Sequence, residues 1–429
     1  MIENSQTVNV VWLRRDIRLE DNKAIEMASK DGNPILLVYI FDDGLVKNKS
    51  IYDPGLNFVY QQLKKLNETL GKQGSSVLIT AGNPVTVFKG ILQKFNVKAI
   101  FANKEYEPYT ISRDRKVDEL CTNNHVRFEL FKDHVIFEPN EVLKVDGTPY
   151  QVFTSYKNKW LQQLDLTQLE AGSAASNFYQ FKAEMPSLDD LGITACDFEV
   201  KDFTLDHINE FGSTRDFPGM DTGSFLGPHL RHGTISIRKI VLSVINTDPV
   251  FLSALIWREF FIQILYHFPY VIDGSFKKKY DFIKWENDEA KFKKWQEGKT
   301  GYPMVDAGMR ELNATGYMHN RVRMVAASFL CKHLLIDWRW GEAYFASKLC
   351  DYEFAANNGN WQWVAGSGCD AAPYFRVFNP MTQHKKFDSK SEYVIKWVPE
   401  YGTLAYGQPI IDHDFARKRV LEAYKNAVK

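Results

Sequence analysis

What this sequence lacks narrows its functions before any motif is read. Net charge is absent, because 53 Lys and Arg offset 53 Asp and Glu, so any polyanion site on the 429-residue chain has to be a local patch. Paired cysteines are lacking too. The five present (Cys121, Cys196, Cys331, Cys350, Cys369) are scattered, odd in number and without C-x-x-C spacing. That argues against a disulfide framework or a cysteine-rich zinc site, and fits a reducing, cytoplasmic setting. The opening MIENSQTVNVVWLRRD has no apolar stretch of signal-peptide length, and the long apolar run at 251–273 is broken by Arg258, Glu259, Gln263 and His267. Neither an export signal nor a membrane span is expected. There is no internal repeat and no low-complexity tract.

What is present divides along the chain, whose length suits two or three domains rather than one core. Apolar, β-branched runs occur at 8–13, 34–41, 75–80, 98–103 and 126–131, with helix-period stretches at 22–29, 55–72, 84–95 and 110–124 between them. This βαβ rhythm predicts a doubly wound parallel sheet over 1–131. WLRRDIRLEDN follows the first strand where a dinucleotide-binding dehydrogenase would carry G-x-G-x-x-G, so that class is disfavoured. Periodicity fades over 132–195, where AGSAASNF (171–178) and EMPSLDDLG (184–192) read as a connector with short helical pieces near 154–165. From 196 to 429 strand signals vanish and an all-α domain is expected. Eight of the ten tryptophans (Trp257, Trp285, Trp295, Trp338, Trp340, Trp361, Trp363, Trp397) lie in it. Core filling explains any one of them; eight together point to a stacking or redox site.

Four segments of the helical part combine polar groups with apolar surroundings. GMDTGSFLGPHLRHGTIS (219–236) leads small and hydroxyl residues into a helix, offering backbone N–H groups to a phosphate or simply an N-cap. In FLSALIWREFF (251–261), Ala254, Trp257, Arg258 and Phe261 share a face, and Trp257 with Arg258 suits a stacked ring and an anion. A buried ion pair that steadies the core fits the same residues. In TGYMHNRVRMVAASFL (315–330), Asn320, Arg323 and Met324 share a face while Arg321 turns elsewhere, an arrangement that suits the edge of a planar heterocycle or a satisfied core Asn beside solvated arginines. The segment 349–387 carries Asp351, Glu353, Asn357, Asn358, Trp361 and Trp363 among Gly and Ala, and reads as a cofactor pocket.

With these residues in view, the chain resembles the photolyase and cryptochrome family, and within it the class I cyclobutane pyrimidine dimer photolyases of bacteria. The resemblance is carried by VVWLRRDIRLEDN, RDFPG, WREF, KTGYPMVDAGMRELNATGYMHNRVRM, LLIDWRWGE and ANNGNWQWVAGSGCDAAPYFRVFNP. It implies an FAD, active as FADH⁻, in the helical domain, and a blue-light electron transfer to a pyrimidine dimer flipped out of DNA.

For the cofactor the resemblance implies contacts from Phe211, Ser224, Phe225, Leu226, Gly227, Phe251, Arg258, Tyr352 and Glu353, an Arg323–Asp351 pair against the flavin, and Asn357 beside its N5. It implies electron transfer through Trp361, Trp338 and Trp285. The dimer would lie between Trp257 and Trp363, with Asn320 and Met324 at its edge, and Arg215, Arg321, Arg376 and Gln383 near the DNA backbone. Asn357 favours repair over a cryptochrome-type photoreceptor, the alternative reading, and Asn320 and Met324 stand where (6-4) photolyases carry histidine. The chain also lacks the long tail of signalling cryptochromes. A monomer, cytoplasmic and at the nucleoid when bound to DNA, is expected.

Five departures from the family pattern stand out. Phe211 replaces a frequent Tyr, Gly227 a Ser and Glu353 an Asp. NKEYEPYTISRD lacks the Asn-Glu pair of folate-binding relatives, so the antenna could be a folate, a deazaflavin or none. Ala254 stands where the class carries a Glu that hydrogen-bonds the dimer, which implies lowered repair efficiency.

Overall fold

The computed structural model describes residues 6–46, 53–169, 172, 177–196 and 199–428. Most of AGSAASNF lies outside the described residues. The chain divides into two compact units: Met1–Leu143 with Lys159–Asp197 and Leu226–Asn246, and Lys144–Asn158 with Phe198–Phe225 and Thr247–Lys429.

In the first unit, β1 (Thr7–Leu13), β2 (Ile35–Asp42), β3 (Leu78–Gly82), β4 (Asn96–Asn103) and β5 (Arg127–Phe131) form one parallel sheet in the order β3-β2-β1-β4-β5. The period of two in the strands sorts their side chains. Val11, Leu13 and Leu37 join α1 (Lys23–Lys30) and α2 (Pro54–Gly71) on one face. Val10, Trp12 and Val38 join α3 (Pro84–Lys94) and α4 (Pro108–Asn123) on the other. The doubly wound α/β expectation therefore holds. Strand β3 starts later than its apolar pattern suggests, for a local reason: Ser75 and Ser76 donate their hydroxyls to the carbonyls of Tyr179 and Phe181 (2.8 and 2.9 Å) before the ladder begins.

Where the strand order reverses, the sheet's C-terminal edge holds a buried ionic cluster. Arg113 reaches Glu105 (2.6 Å), Asp114 (2.8 Å) and Asp42 (3.3 Å), and Tyr109 donates to Asp42 (2.7 Å). The guanidiniums of Arg14 and Arg113 lie 4.7 and 4.6 Å from the ring of Trp12. The segment NKEYEPYTISRD is thus tied into this unit's own charges. Helices α5 (Phe153–Gln163), α6 (Leu226–His232) and α7 (Ile237–Val244) follow in the chain.

All named strands lie in the α/β part, and the second unit is built from helices: α8 (Pro249–His267), α9 (Glu289–Gln296), α10 (Pro303–Thr315), α11 (Asn320–Ser328), α12 (Trp338–Lys348), α13 (Phe354–Ala365), α14 (Pro380–Phe387), α15 (Glu392–Trp397) and α16 (His413–Val428). Helix α8 is long and apolar enough to cross a membrane, yet most of it is buried inside the fold, as for the core helix of a globular unit. Its start is fixed by Asp248, whose Oδ1 accepts from the N–H of Val250 and Phe251 (2.7 and 2.8 Å) while its Oδ2 accepts from Gly212 (3.0 Å). Glycine lets the helices of the site approach closely. A methyl at Gly359 would clash with the ring of Phe261 on α8, and one at Gly341 with the ring of Trp361.

The end of α13 is held by a buried lysine. Lys332, in a π-helical turn after α11, donates to the carbonyls of Ala365 (2.8 Å) and Tyr374 (3.2 Å), with its Nζ 3.9 Å from the Tyr424 ring, and burial pulls its pKa down to about 7. That contact anchors the turn carrying Phe375 and Arg376, both exposed.

Candidate active site

The second unit encloses a cavity of about 480 Å³, a size that suits a cofactor. Four segments build most of its wall, residues 211–224, the first turns of α8, the stretch 317–327 and helix α13, and Phe345 of α12 completes it. They include the four stretches that the sequence singles out. Phe211, Arg215, Ser224, Ala254, Trp257, Asn320, Arg323, Met324, Asn357, Trp361 and Trp363 all line it. Phe225, Leu226, Gly227, Phe251, Arg258, Trp285, Arg321, Trp338, Asp351, Tyr352, Glu353, Arg376 and Gln383 stand off the wall. Helix α8 faces the cavity with Ser253, Ala254 and Trp257, while Phe261 is buried against Gly359.

Arg323 and Asp351 form a bidentate pair (3.1 and 2.9 Å), and Arg323 Nε donates to the carbonyl of Met318 (2.7 Å). The facing carboxylate raises the guanidinium's pKa against the opposing effect of burial. Asn357 donates through Nδ2 to Glu342 Oε1 (2.9 Å) and to its carbonyl (3.2 Å), which leaves Oδ1 for the cavity side. Burial pushes the Glu342 carboxyl beside Asn357 up, against the lowering effect of the hydrogen bond from Asn357.

His319 caps α11: its Nδ1 accepts from the N–H of Arg321 (3.2 Å), so in the neutral ring the proton sits on Nε2. Burial, then the charge of Arg323, pulls this imidazole down to about 4. Arg321 is paired with Asp216 (2.7 Å) and lies 4.3 Å from the ring of Phe387, beside which Phe217 packs at 6.2 Å. The guanidinium of Arg215 rests 5.3 Å from the ring of Phe211. Gln383 keeps its Oε1 buried without a partner among the described residues.

Three aromatic groups show how the rings are held. Trp257 stacks on Phe153 with centroids 3.7 Å apart and planes 9° apart, a ring that no sequence pattern near Trp257 reveals. Trp361 is buried against Phe345 (5.0 Å) and Trp295 (6.3 Å). Trp338 is buried at the start of α12, and the half-buried Trp285 packs on Tyr424 (6.1 Å). The loop entering the cavity carries strain: Phe225, a bulky residue, adopts φ +49°, beneath the Lys201 ammonium at 4.2 Å. Sequence reasoning missed Ser253, Tyr317, His319, Phe345 and Asn360 on the wall. His319 was open to discovery, since a polar residue before a helical run is a capping signal.

A cavity walled by indole rings, amides, hydroxyls and a paired guanidinium, in a helical unit of a chain that also carries a doubly wound sheet, has the features of a flavin site. The comparisons give the family. Residues 251–406 match the FAD binding domain of DNA photolyase, and residues 9–174 match DNA photolyase. A deoxyribodipyrimidine photo-lyase of Escherichia coli is 35% identical over 99% of this chain and 99% of that protein. One of Vibrio cholerae is 33% identical over 98% of this chain and 100% of that protein. Among solved structures, a bacterial class III photolyase from Agrobacterium tumefaciens superposes with TM-score 0.89 at 31% identity, covering 99% of this chain and 98% of that one. An archaeal photolyase from Sulfolobus tokodaii, described with two FAD molecules, gives 0.86 at 33% identity, covering 97% and 99%. The chain belongs to the DNA photolyase family, as a flavoprotein with an FAD-binding domain.

Proposed function

We propose that this protein repairs cyclobutane pyrimidine dimers in DNA under blue light. What carries the reading is a single wall: Arg323, Asn357 and Trp361 share one cavity with Trp257, Asn320, Met324 and Trp363. The first group suits a flavin and the second a pair of stacked bases. When bound, reduced FAD supplies on excitation the electron that opens the cyclobutane ring, and regains it afterwards.

The remaining tasks fall to the chain. Arg323, held by Asp351, presents a fixed positive charge, and Asn357, held by Glu342, presents an amide oxygen without a change of protonation. Trp257, braced by Phe153, and Trp363 offer ring faces to the extruded pair. Extrusion costs a few kcal/mol and least at a damaged step, and stacking on aromatic rings contributes ~1–3 kcal/mol per base. Arg215, Arg321, Arg376 and Gln383 serve the phosphates, and Trp361, Trp338 and Trp285 carry an electron inward to an oxidised flavin. Of Ser224, Leu226 and Gly227, the residues proposed at the phosphates of FAD, Ser224 lies on the wall, next to the strained turn at Phe225. Ala254 supplies no acid, which predicts fewer repairs per photon; if Ala254→Glu leaves that yield unchanged, this part fails.

The test is direct. Fully reduced protein, illuminated with blue light, should restore an oligonucleotide that carries one thymine dimer. Dimers left intact would transfer the reading to a photoreceptor without repair activity, the alternative in keeping with Ala254.

A further inference from the structure

Among the described residues that line the cavity none carries a carboxylate, and the ionic groups are Arg215 and Arg323. A dimer extruded into it therefore finds no acid to accept the hydrogen of a ring N–H, and a neutral acceptor has to serve. Asn360 has the right position. On α13, Asn357, Trp361 and Val364 recur at the helical spacing that defines one stripe, and Trp363 lies to one side of it. Asn360 projects between that stripe and Trp363, and all five residues line the cavity. It is also exposed, on a helix whose Asn358, Trp361, Gln362 and Val364 are buried.

Its orientation is set locally. Asn360 Nδ2 donates to the carbonyl of Ala356 at 2.8 Å, one turn back, which directs Oδ1 outward as an acceptor. The other amides are placed differently. Asn357 is tied to Glu342, and Asn320 stands on α11, where its Nδ2 reaches only the sulfur of Met324 at 4.0 Å. Ser253, beside Ala254, donates its hydroxyl to Pro249 O (2.8 Å).

We infer that Asn360 Oδ1 accepts the imide N3–H of an extruded pyrimidine, in place of the acid absent at Ala254. This rests on the dimer-repair reading above. It adds a specificity, because thymine and uracil carry a hydrogen on N3 whereas the N3 of cytosine accepts. With Oδ1 directed outward, the site prefers thymine over cytosine at the position it touches.

The experiment uses the FAD-loaded full chain and oligonucleotides carrying one thymine–thymine or one cytosine-containing dimer. Binding is read in the dark by fluorescence anisotropy and repair per absorbed photon after full reduction. Asn360→Ala should weaken dark binding of the thymine dimer about two- to tenfold, lower its repair yield, and leave affinity for undamaged DNA and FAD content unchanged. The preference for thymine over cytosine should shrink, and Ala254→Glu should raise the yield more in Asn360→Ala than in the parent. Equal dark affinities for the thymine dimer, or a loss of FAD without loss of dimer affinity, would overturn the assignment. A parent protein that binds DNA but leaves dimers intact after full reduction overturns the repair reading; an active parent with an equally active Asn360→Ala overturns only this inference.

Discussion

Replacing Gly341 by Ala should disturb electron transfer more than it disturbs the fold. Two effects compete. In mid-helix the change gains about 1 kcal/mol of intrinsic helix propensity. Against it, the new methyl would fall within the contact shell of the Trp361 ring and 2.5 Å from Leu330 Cδ2. Ordinary carbon contacts lie at roughly 3.5–4.0 Å, so the methyl must displace the indole, and overpacking of this kind costs about 1–3 kcal/mol. The net loss of stability is therefore ~0–2 kcal/mol, a small fraction of a normal folding free energy.

Trp361 has little room to yield, because Phe345 and Trp295 already meet it edge to face at 77° and 71°. A ring pushed from this seat changes its distance to whatever lies against Asn357, one helical turn away. The assay pairs urea unfolding with the rate at which oxidised, FAD-loaded protein is photoreduced by an external donor, and Trp361→Phe is the reference for a broken chain. Photoreduction should fall well below that of the parent, while the unfolding midpoint moves little. A variant that photoreduces at the parental rate while remaining folded would refute the claim that Gly341 seats Trp361 for electron transfer.

Other consequences can be checked separately. Asp351→Asn leaves the largely buried Arg323 guanidinium without its counter-charge and should cost ~2–4 kcal/mol in urea unfolding, with lower FAD retention; a change below 0.5 kcal/mol would count against the pair. Asp248→Ala orphans the N–H groups of Val250, Phe251 and Gly212 and should cost ~1–2 kcal/mol by the same measurement. His319, pulled down to about 4 from 6.5, is neutral when folded. Between those values the unfolded chain binds a proton that the folded chain does not. Its contribution is therefore full above pH 6.5 and is lost as pH falls through 4, by up to ~3 kcal/mol. His319→Asn keeps the cap and should flatten that part of the stability–pH curve. Arg376→Ala should weaken damaged and undamaged DNA alike and reduce the slope of log affinity against log salt by about 1, whereas Trp363→Ala should narrow the preference for damage.

The sheet was legible because parallel strands buried on both faces leave uninterrupted apolar runs, as PILLVYIF does for β2, and because the helices between them are capped by Asn22, Asp53 and Asn83. The four site segments were legible for a similar reason, since polar residues at helical spacing among apolar ones need an explanation. What could not be read is tertiary. Phe153 stacks on Trp257 from a distant part of the chain, and no period or cap in either segment announces it. Likewise α8 alone gave Arg258 and Trp257 equal claim to the cavity, and only packing against Gly359 shows which side turns inward.

The polar groups of the cavity follow one rule: each is held in place before any ligand arrives. Arg323 pairs with Asp351, Arg215 rests against the ring of Phe211, Asn357 is tied to Glu342, and His319 carries its single proton away from the cap. The rest of the polar wall is amide and hydroxyl. Groups of this kind stabilise a charge that comes and goes without releasing or taking up protons, and, being fixed by Ala356, Glu342 and the helix caps, they need not reorganise when it moves. Ala254 leaves this wall without a carboxylate among its described residues. A wall of neutral dipoles yields less stabilisation of a transient anion than one well-placed acid would, but it also presents no negative charge to repel that anion. The sign of Ala254→Glu tests which effect governs: the higher yield per photon expected above means the lost hydrogen bond dominates, and a lower one would mean that repulsion does and would overturn that expectation.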